Sequence, residues 1–348
     1  MDKLFIALLA FVPLAVGAHF AGAAPVVVFF LAAIAVVPLA KYIGDATEEL
    51  TAKTTPVVGG LLNATFGNAA ELVIGVFALK AGLIDVVKAS ITGSIIGNLL
   101  LVLGFAMLAG GWAREKQTFN RTGILAQGST LFVATIALVV PAIAYQTAAP
   151  TGAPWVGSLS ILVSLVLICM YGASLLFSLH THKHLYLEDV GEAQPRWSTT
   201  RAVVTLVAAM LAVAAVSDIL VRSIEPLLVR LGWSQLFVGV IFVAIVGNAA
   251  EHFSAVVVAR KNRIDLALQI SIGSATQIAL VVAPILVILG LAFGQPMDLI
   301  FNSFELVAMV LAVMIVNFVI QDGESNWLEG LQLLAAYAIM AIAFYLHP

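Results

Sequence analysis

Charge is what this sequence has least of. Only 10% of its 348 residues are Asp, Glu, Lys or Arg, against the roughly 25% that keeps a soluble domain's surface wet. With 62% apolar residues and a mean hydropathy of +1.09, the chain cannot cover itself with polar groups, so its solvent is a bilayer. Cysteine is all but missing. Cys169 stands alone in an apolar run, which excludes an internal disulfide. There is no basic excess either: the net charge of −3 argues against a nucleic-acid partner. The first hydrophobic run lacks a basic leader beyond Lys3 and a small-residue cleavage site, so it is expected to stay as a helix. Nor is there an HExxH zinc motif or a nucleophile–base pair, so an intramembrane enzyme ranks far below other classes and no cofactor is expected.

What the chain does have is apolar stretches of about 18 to 25 residues, the length that crosses hydrocarbon. They fall near 4–20, 25–43, 57–80, 89–111, 121–145, 155–179, 199–221, 235–259, 264–292, 301–320 and 327–346, an all-α polytopic membrane protein of about eleven spans. The stretch 264–292 is long enough to be tilted or broken. Lys3, Lys41, Lys53, Arg114, Lys116, Arg121, Lys183, Arg196, Arg201, Arg260, Lys261 and Arg263 fall on one side of this segmentation. Lys80, Lys88, Arg222 and Arg230 fall on the other, twelve against four of the 16 basic residues. Basic residues gather on the cytoplasmic side. The N-terminus is therefore expected in the cytoplasm and the C-terminus across the membrane, with the cell membrane favoured over an organelle.

The string GNAAE occurs at 67–71 and again at 247–251, 180 residues apart. At the same offset Gly59 matches Gly239, Ile84-Asp85 matches Ile264-Asp265, and Gly93-Ser94 matches Gly273-Ser274. Collinear matches make this an internal duplication. Each copy covers five spans, an odd number, so the copies enter the membrane from opposite sides. The expected organisation is an extra helix over 1–22, a first repeat over 23–179, a cytoplasmic linker over 180–198 and a second repeat over 199–348. Inverted repeats of this kind build secondary transporters, with the site near the midplane.

Glu71 and Glu251 occupy equivalent points of the two copies. A charge at the centre of a lone helix costs about 2.5–3.5 kcal/mol on insertion scales, so such residues face a bundle interior and mark ion pathways. The bland alternative, protonated glutamates acting as hydrogen-bond glue, is harder to hold for two at symmetry-related positions. Asn68 lies three residues before Glu71, and Asn248 three before Glu251, which on a continuous helix puts each pair on one face. Gly67 and Gly247 would let the helix loosen and expose carbonyls. Carboxylates, amide oxygens and carbonyls are hard ligands of the kind Ca²⁺ takes. With the cation gone, two carboxylates held close together repel and take up protons instead. A site that is neutral with either occupant, and charged when empty, exchanges one for the other.

A second polar layer follows on the next span of each half: Thr92, Ser94 and Asn98 in the first, Ser271, Ser274, Thr276 and Gln277 in the second. Hydroxyls there have an even chance of simply bonding their own helix carbonyls. Buried amides need partners, which favours Asn98 and Gln277 as packing or gating groups. His252 and Glu305 are candidates for a proton path, Glu305 equally for pinning helices together. Asp45, Glu48 and Glu49 could concentrate cations, although a solvated helix end is the plainer reading. His180, His182 and His184 alternate as metal ligands sometimes do, without a partner cluster. Glu188, Asp189 and Glu192 lack EF-hand spacing.

LNATFGNAAEL and VGNAAEH resemble the two signature repeats of the cation/proton exchanger branch of the calcium/cation antiporter superfamily. The likeness extends to THKHL at 181–185, FNSFELV at 301–307 and QDGESNWLEG at 321–330. It implies eleven helices, with an extra one before two inverted halves, and export of cytosolic Ca²⁺ driven by inward proton flow. It makes Glu71 and Glu251 the Ca²⁺ and proton carboxylates, with Asn68 and Asn248 beside them and Ser94, Asn98, Ser274 and Gln277 completing the site. Sodium-coupled relatives carry Gly-Thr-Ser ahead of the acid; Gly-Asn-Ala here favours protons. The long N-terminal tail of many eukaryotic members is missing, so regulation by one is not expected. The partners implied are Ca²⁺ as transported substrate, H⁺ and membrane lipid; nothing indicates an oligomer, and the sequence leaves one open. A sodium/calcium or other divalent-cation exchanger is the alternative, and a cation channel a more distant one.

Overall fold

The computed structural model describes residues 2–148, 155–182 and 195–347, and almost all of them are helical. Hydrocarbon offers a backbone amide no partner, and a helix satisfies its N–H and C=O groups within one segment. In chain order the helices are α1 (Asp2–Leu8), α2 (Phe11–Phe20), α3 (Pro25–Thr51), α4 (Pro56–Phe66) and α5 (Ala69–Lys80). Then come α6 (Ile84–Gly111), α7 (Arg121–Thr147), α8 (Val156–Thr181), α9 (Thr199–Leu231) and α10 (Gln235–Gly247). The last are α11 (Ala249–Arg260), α12 (Ile264–Ala292), α13 (Ser303–Val319) and α14 (Trp327–Leu346). Among the described residues eight stretches are long and apolar enough to cross a membrane, or up to nine with α10 and α11 as one span bent by 58°. Helices occupy the stretches expected to span, but 57–80 is divided between α4 and α5 and 235–259 between α10 and α11, and α13 is a shorter apolar helix. The first stretch is two pieces, α1 and α2, and α12 runs through 264–292 unbroken, with a widened π turn at Ile278–Val282.

Side chains close the helix ends. Asn120, Ser198 and Ser234 accept hydrogen bonds from the N–H groups of Gly123, Arg201 and Phe237 at 3.2, 3.1 and 3.1 Å, taking up donors that the first turn leaves free. α13 and α14 each open with a reciprocal box, Asn302 with Glu305 and Asn326 with Glu329.

The chain forms two compact units, each drawing on both halves of the sequence. One comprises described residues within Met1–Ser90 and Leu187–Ala250, the other those within Ile91–Tyr186 and Glu251–His347. In the first, α3 lies along α9, with α5 and the end of α10 against them, around buried Phe29, Ala32, Val36, Val213 and Leu220. Glu49 reaches the start of α9's leader, where Oε2 accepts from the N–H groups of Arg196 and Trp197 at 2.8 and 2.9 Å. This carboxylate is therefore an anchor, while Asp45 is paired with Lys41.

In the second unit α14 packs on the end of α6, α12 on α7 and α8, and α13 on α7. The α6–α14 approach is backbone to backbone: a β-carbon on Gly330 would lie 2.4 Å from the Leu108 nitrogen and 2.7 Å from the Gly104 carbonyl oxygen. At one end three loops are stitched together. Strand β1 (Gln117–Thr118) pairs antiparallel with β2 (Glu324–Ser325). Gln117 Nε2 donates to the Ala259 carbonyl at 3.1 Å and to Asn262 Oδ1 at 2.9 Å. Lys116 meets Glu324 at 2.5 Å, and that carboxylate holds the ammonium above its usual range.

Candidate functional site

Both GNAAE strings break their helix at the asparagine. Asn68 has φ −107° and ψ 32°, Asn248 φ −88° and ψ 14°, each outside regular helix. Asn68 is the N-cap of α5, and Glu71 and Glu251 lie in the first turns of α5 and α11. This corrects the expectation of one continuous face for Asn68 with Glu71 and for Asn248 with Glu251: the asparagine is the joint, and the glutamate follows in the next helix. The joint takes carbonyls and N–H groups out of the regular ladder. It also sets each carboxylate at the positive end of a helix dipole. Asn248 spends its amide on the joint itself, with Nδ2 donating to the Ala244 carbonyl at 2.9 Å.

Within the first unit the two copies of the motif meet. A β-carbon on Gly247 would lie 2.7 Å from Glu71 Cγ and 3.3 Å from its Cδ. The glycine of one repeat is thus the wall against which the glutamate of the other rests. The surroundings bury Asn68 and Asn248 almost completely, while Glu71 stays half-buried.

In the second unit Glu251 Oε2 and His252 Nε2 are buried with no hydrogen-bond partner among the described residues. A buried carboxylate oxygen left in this way carries a desolvation cost that a cation or a proton would relieve. The polar layer on α6 and α12 joins across helices: Asn98 Nδ2 donates to Ser274 Oγ at 2.9 Å. Asn98 sits in a π turn at Gly97–Val102 and reaches across to α12. Ser94 is buried nearby in sequence, and Gln277 is hydrogen-bonded to the Tyr171 side chain on α8, a partner that no spacing singles out. Thr276 bonds back to the Ile272 carbonyl at 2.7 Å, the plain use of a helical hydroxyl.

Glu305 lies closer to its helix end than its sequence position implied. It is the third residue of α13, where Oε2 accepts from the Asn302 N–H at 3.0 Å and Oε1 from Thr92 Oγ1 at 3.1 Å. These contacts tie α13 to α6. His182 stacks on Phe177 with ring centroids 4.1 Å apart. His184, Glu188, Asp189 and Glu192 lie outside the described residues. Among those described, no three His, Cys, Asp or Glu side chains cluster as a metal site.

Apolar helices interrupted at two matching Asn-Ala-Ala-Glu steps define a polytopic membrane protein of the transporter class. The chain belongs to the sodium/calcium exchanger protein family, matched over residues 24–180 and 201–346. It is 47% identical over 370 residues to the Ca²⁺/H⁺ antiporter of Synechocystis sp., covering 100% of this chain and 98% of that one. It is 44% identical over 353 residues to the Ca²⁺/H⁺ antiporter ChaA of Bacillus subtilis, covering 99% and 100%. The solved structure of native YfkE superposes with a TM-score of 0.88 at 43% identity, covering 99% of this chain and 100% of that one.

Proposed function

We propose that this protein exports cytosolic Ca²⁺ in exchange for protons by alternating access, with Glu71 and Glu251 binding the two ions in competition. The observation that carries this reading is the repeated joint: in both halves an asparagine breaks the helix and a glutamate follows three residues on. Family membership and relatives described as Ca²⁺/H⁺ antiporters support the choice of ions. Asn68 and Asn248 supply amide or carbonyl oxygens beside the carboxylates, and Ser94, Asn98, Ser274 and Gln277 form the layer behind. On a reading of eleven spans, the N-terminus lies in the cytoplasm and the C-terminus outside, with 23–179 and 199–348 as inverted halves after the helix of 1–22. Glu305 serves to fasten α13, and His252 is kept as the candidate for handling a proton.

Each carboxylate can be charged only when something offsets the charge, because burial makes a bare pair costly. One divalent cation offsets two glutamates, and so do two protons. Crossing between faces is open to these neutral states and closed to the empty, doubly charged one. The test is uptake of radioactive calcium into proteoliposomes made acidic inside, for wild type, Glu71→Gln and Glu251→Gln. Uptake abolished by a protonophore and by both substitutions supports the proposal. Uptake indifferent to the proton gradient overturns the coupling.

A further inference from the structure

The second unit holds a half-open cavity of about 510 Å³ between α7, α8 and α12. It is lined by Gln127, Ser129 and Thr130, by Tyr171, Ser174 and Ser178, and by Thr276 and Gln277, among apolar side chains. Among the described residues no charged side chain lines it. Four of the hydroxyl protons on its wall are already committed. Ser129 donates to the Leu125 carbonyl at 2.9 Å, Thr130 to Ala126 at 3.1 Å, Ser178 to Leu175 at 3.3 Å and Thr276 to Ile272 at 2.7 Å. Their oxygens turn only lone pairs outward. Gln127 adds a buried Oε1 with no hydrogen-bond partner among the described residues. Among the described residues the wall is therefore neutral and rich in acceptors, which suits a species that presents only donors: hydronium, or a cation inside its water shell. Its volume holds on the order of ten waters or more.

The cavity also spans depth. Ser178 is near the end of α8, beside the linker, whereas Gln277 is 13 residues into α12 from Ile264, about 20 Å at 1.5 Å per residue. That is past the middle of a hydrocarbon core about 30 Å thick. Its inner end is Gln277, held by Tyr171.

We propose that this cavity is an aqueous side entrance through which water-borne cations reach Gln277 from the linker side, with Tyr171 positioning that amide. The inference deepens the exchanger reading and rests on it. In a Cys169→Ser background, Thr130→Cys and Ser174→Cys are compared with Val166→Cys, a lipid-exposed control, for reaction with a cationic, membrane-impermeant thiosulfonate applied to either face of proteoliposomes. The expected result is labelling of both cavity cysteines at least about tenfold faster than the control, from one face only, with a matching drop in proton-driven calcium uptake. Loss of proton-driven uptake with calcium–calcium exchange intact assigns the entrance to hydronium; loss of both assigns it to hydrated Ca²⁺. Labelling no faster than the control, or labelled protein that transports at its unlabelled rate, overturns the proposal. If wild type takes up no calcium at all, the exchanger reading fails, and labelling still reports whether the cavity is wet. Tyr171→Phe should slow uptake several-fold while leaving the labelling rate of Ser174→Cys unchanged.

Discussion

Glu71 rests on Gly247, with its Cγ 2.7 Å from where a β-carbon on that glycine would be. The contact joins the two copies of the motif and leaves no room for even a methyl group. Gly247→Ala should therefore push the Glu71 side chain aside. Overpacking of this kind costs about 1–3 kcal/mol, and calcium uptake should fall at least about tenfold. Gly157→Ala, where nothing lies within 4 Å of the added carbon, should leave melting temperature and uptake alike unchanged. Equal effects of the two substitutions would remove the contact from the argument.

Competition between cation and proton fixes the sign of the pH dependence. Raising pH removes protons from the carboxyls, so apparent Ca²⁺ affinity should rise, because a metal binds the deprotonated ligand. If both protons leave as Ca²⁺ enters, the gain is up to about a hundredfold per pH unit; if one leaves, about tenfold. Calorimetric titration of purified protein at several pH values measures it. Glu71→Gln or Glu251→Gln should lower both the affinity and the slope.

Glu305 is assigned to fastening and not to transport. Asn302→Ala removes the box that opens α13 and should cost about 1 kcal/mol, the usual value of an N-cap. Glu305→Gln keeps an oxygen for Thr92 and should export calcium at close to the wild-type rate. A large loss of uptake by Glu305→Gln, with thermal stability unchanged, would return this residue to the proton path.

Asn98 and Ser274 form a bond across helices that a double-mutant cycle can weigh. Interhelical side-chain bonds inside membranes average about 0.6 kcal/mol of coupling and reach about 1.7. The pair Asn98→Ala and Ser274→Ala should fall in that range when unfolding is followed in detergent micelles. Zero coupling would mean that the bond contributes nothing to stability.

Scarce charge and long apolar runs made the helices legible, and the duplicated GNAAE marked the glutamates. What the sequence concealed was the task of its glycines. Their position suggests a loosened helix, yet Gly67 has φ −57° and ψ −47°, ordinary helical values, and Asn68 takes the kink. Gly247 matters for the atom it lacks, because a side chain from elsewhere occupies that space, and no local pattern reports a neighbour so distant in sequence. The pattern Asn-x-x-Glu at 302–305 and 326–329, by contrast, was readable as a helix start and would have put Glu305 in the first turn. Tyr171 carried no signal, since its partner Gln277 lies on another helix. Likewise the two-residue strands are too short for any alternation to register.

The clasp between β1 and β2 has a consequence for how the chain is made. Lys116 and Glu324 are 208 residues apart in sequence, and the groove at Gly104 and Leu108 is filled by α14. While the ribosome is still synthesising the second half, α6 waits in the bilayer with its small-residue face bare and β1 has no strand to pair with. Contacts so far apart form late and leave unpaired surfaces exposed meanwhile. A chain stalled before α14 should therefore be a substrate for membrane quality control, however well its first helices have inserted.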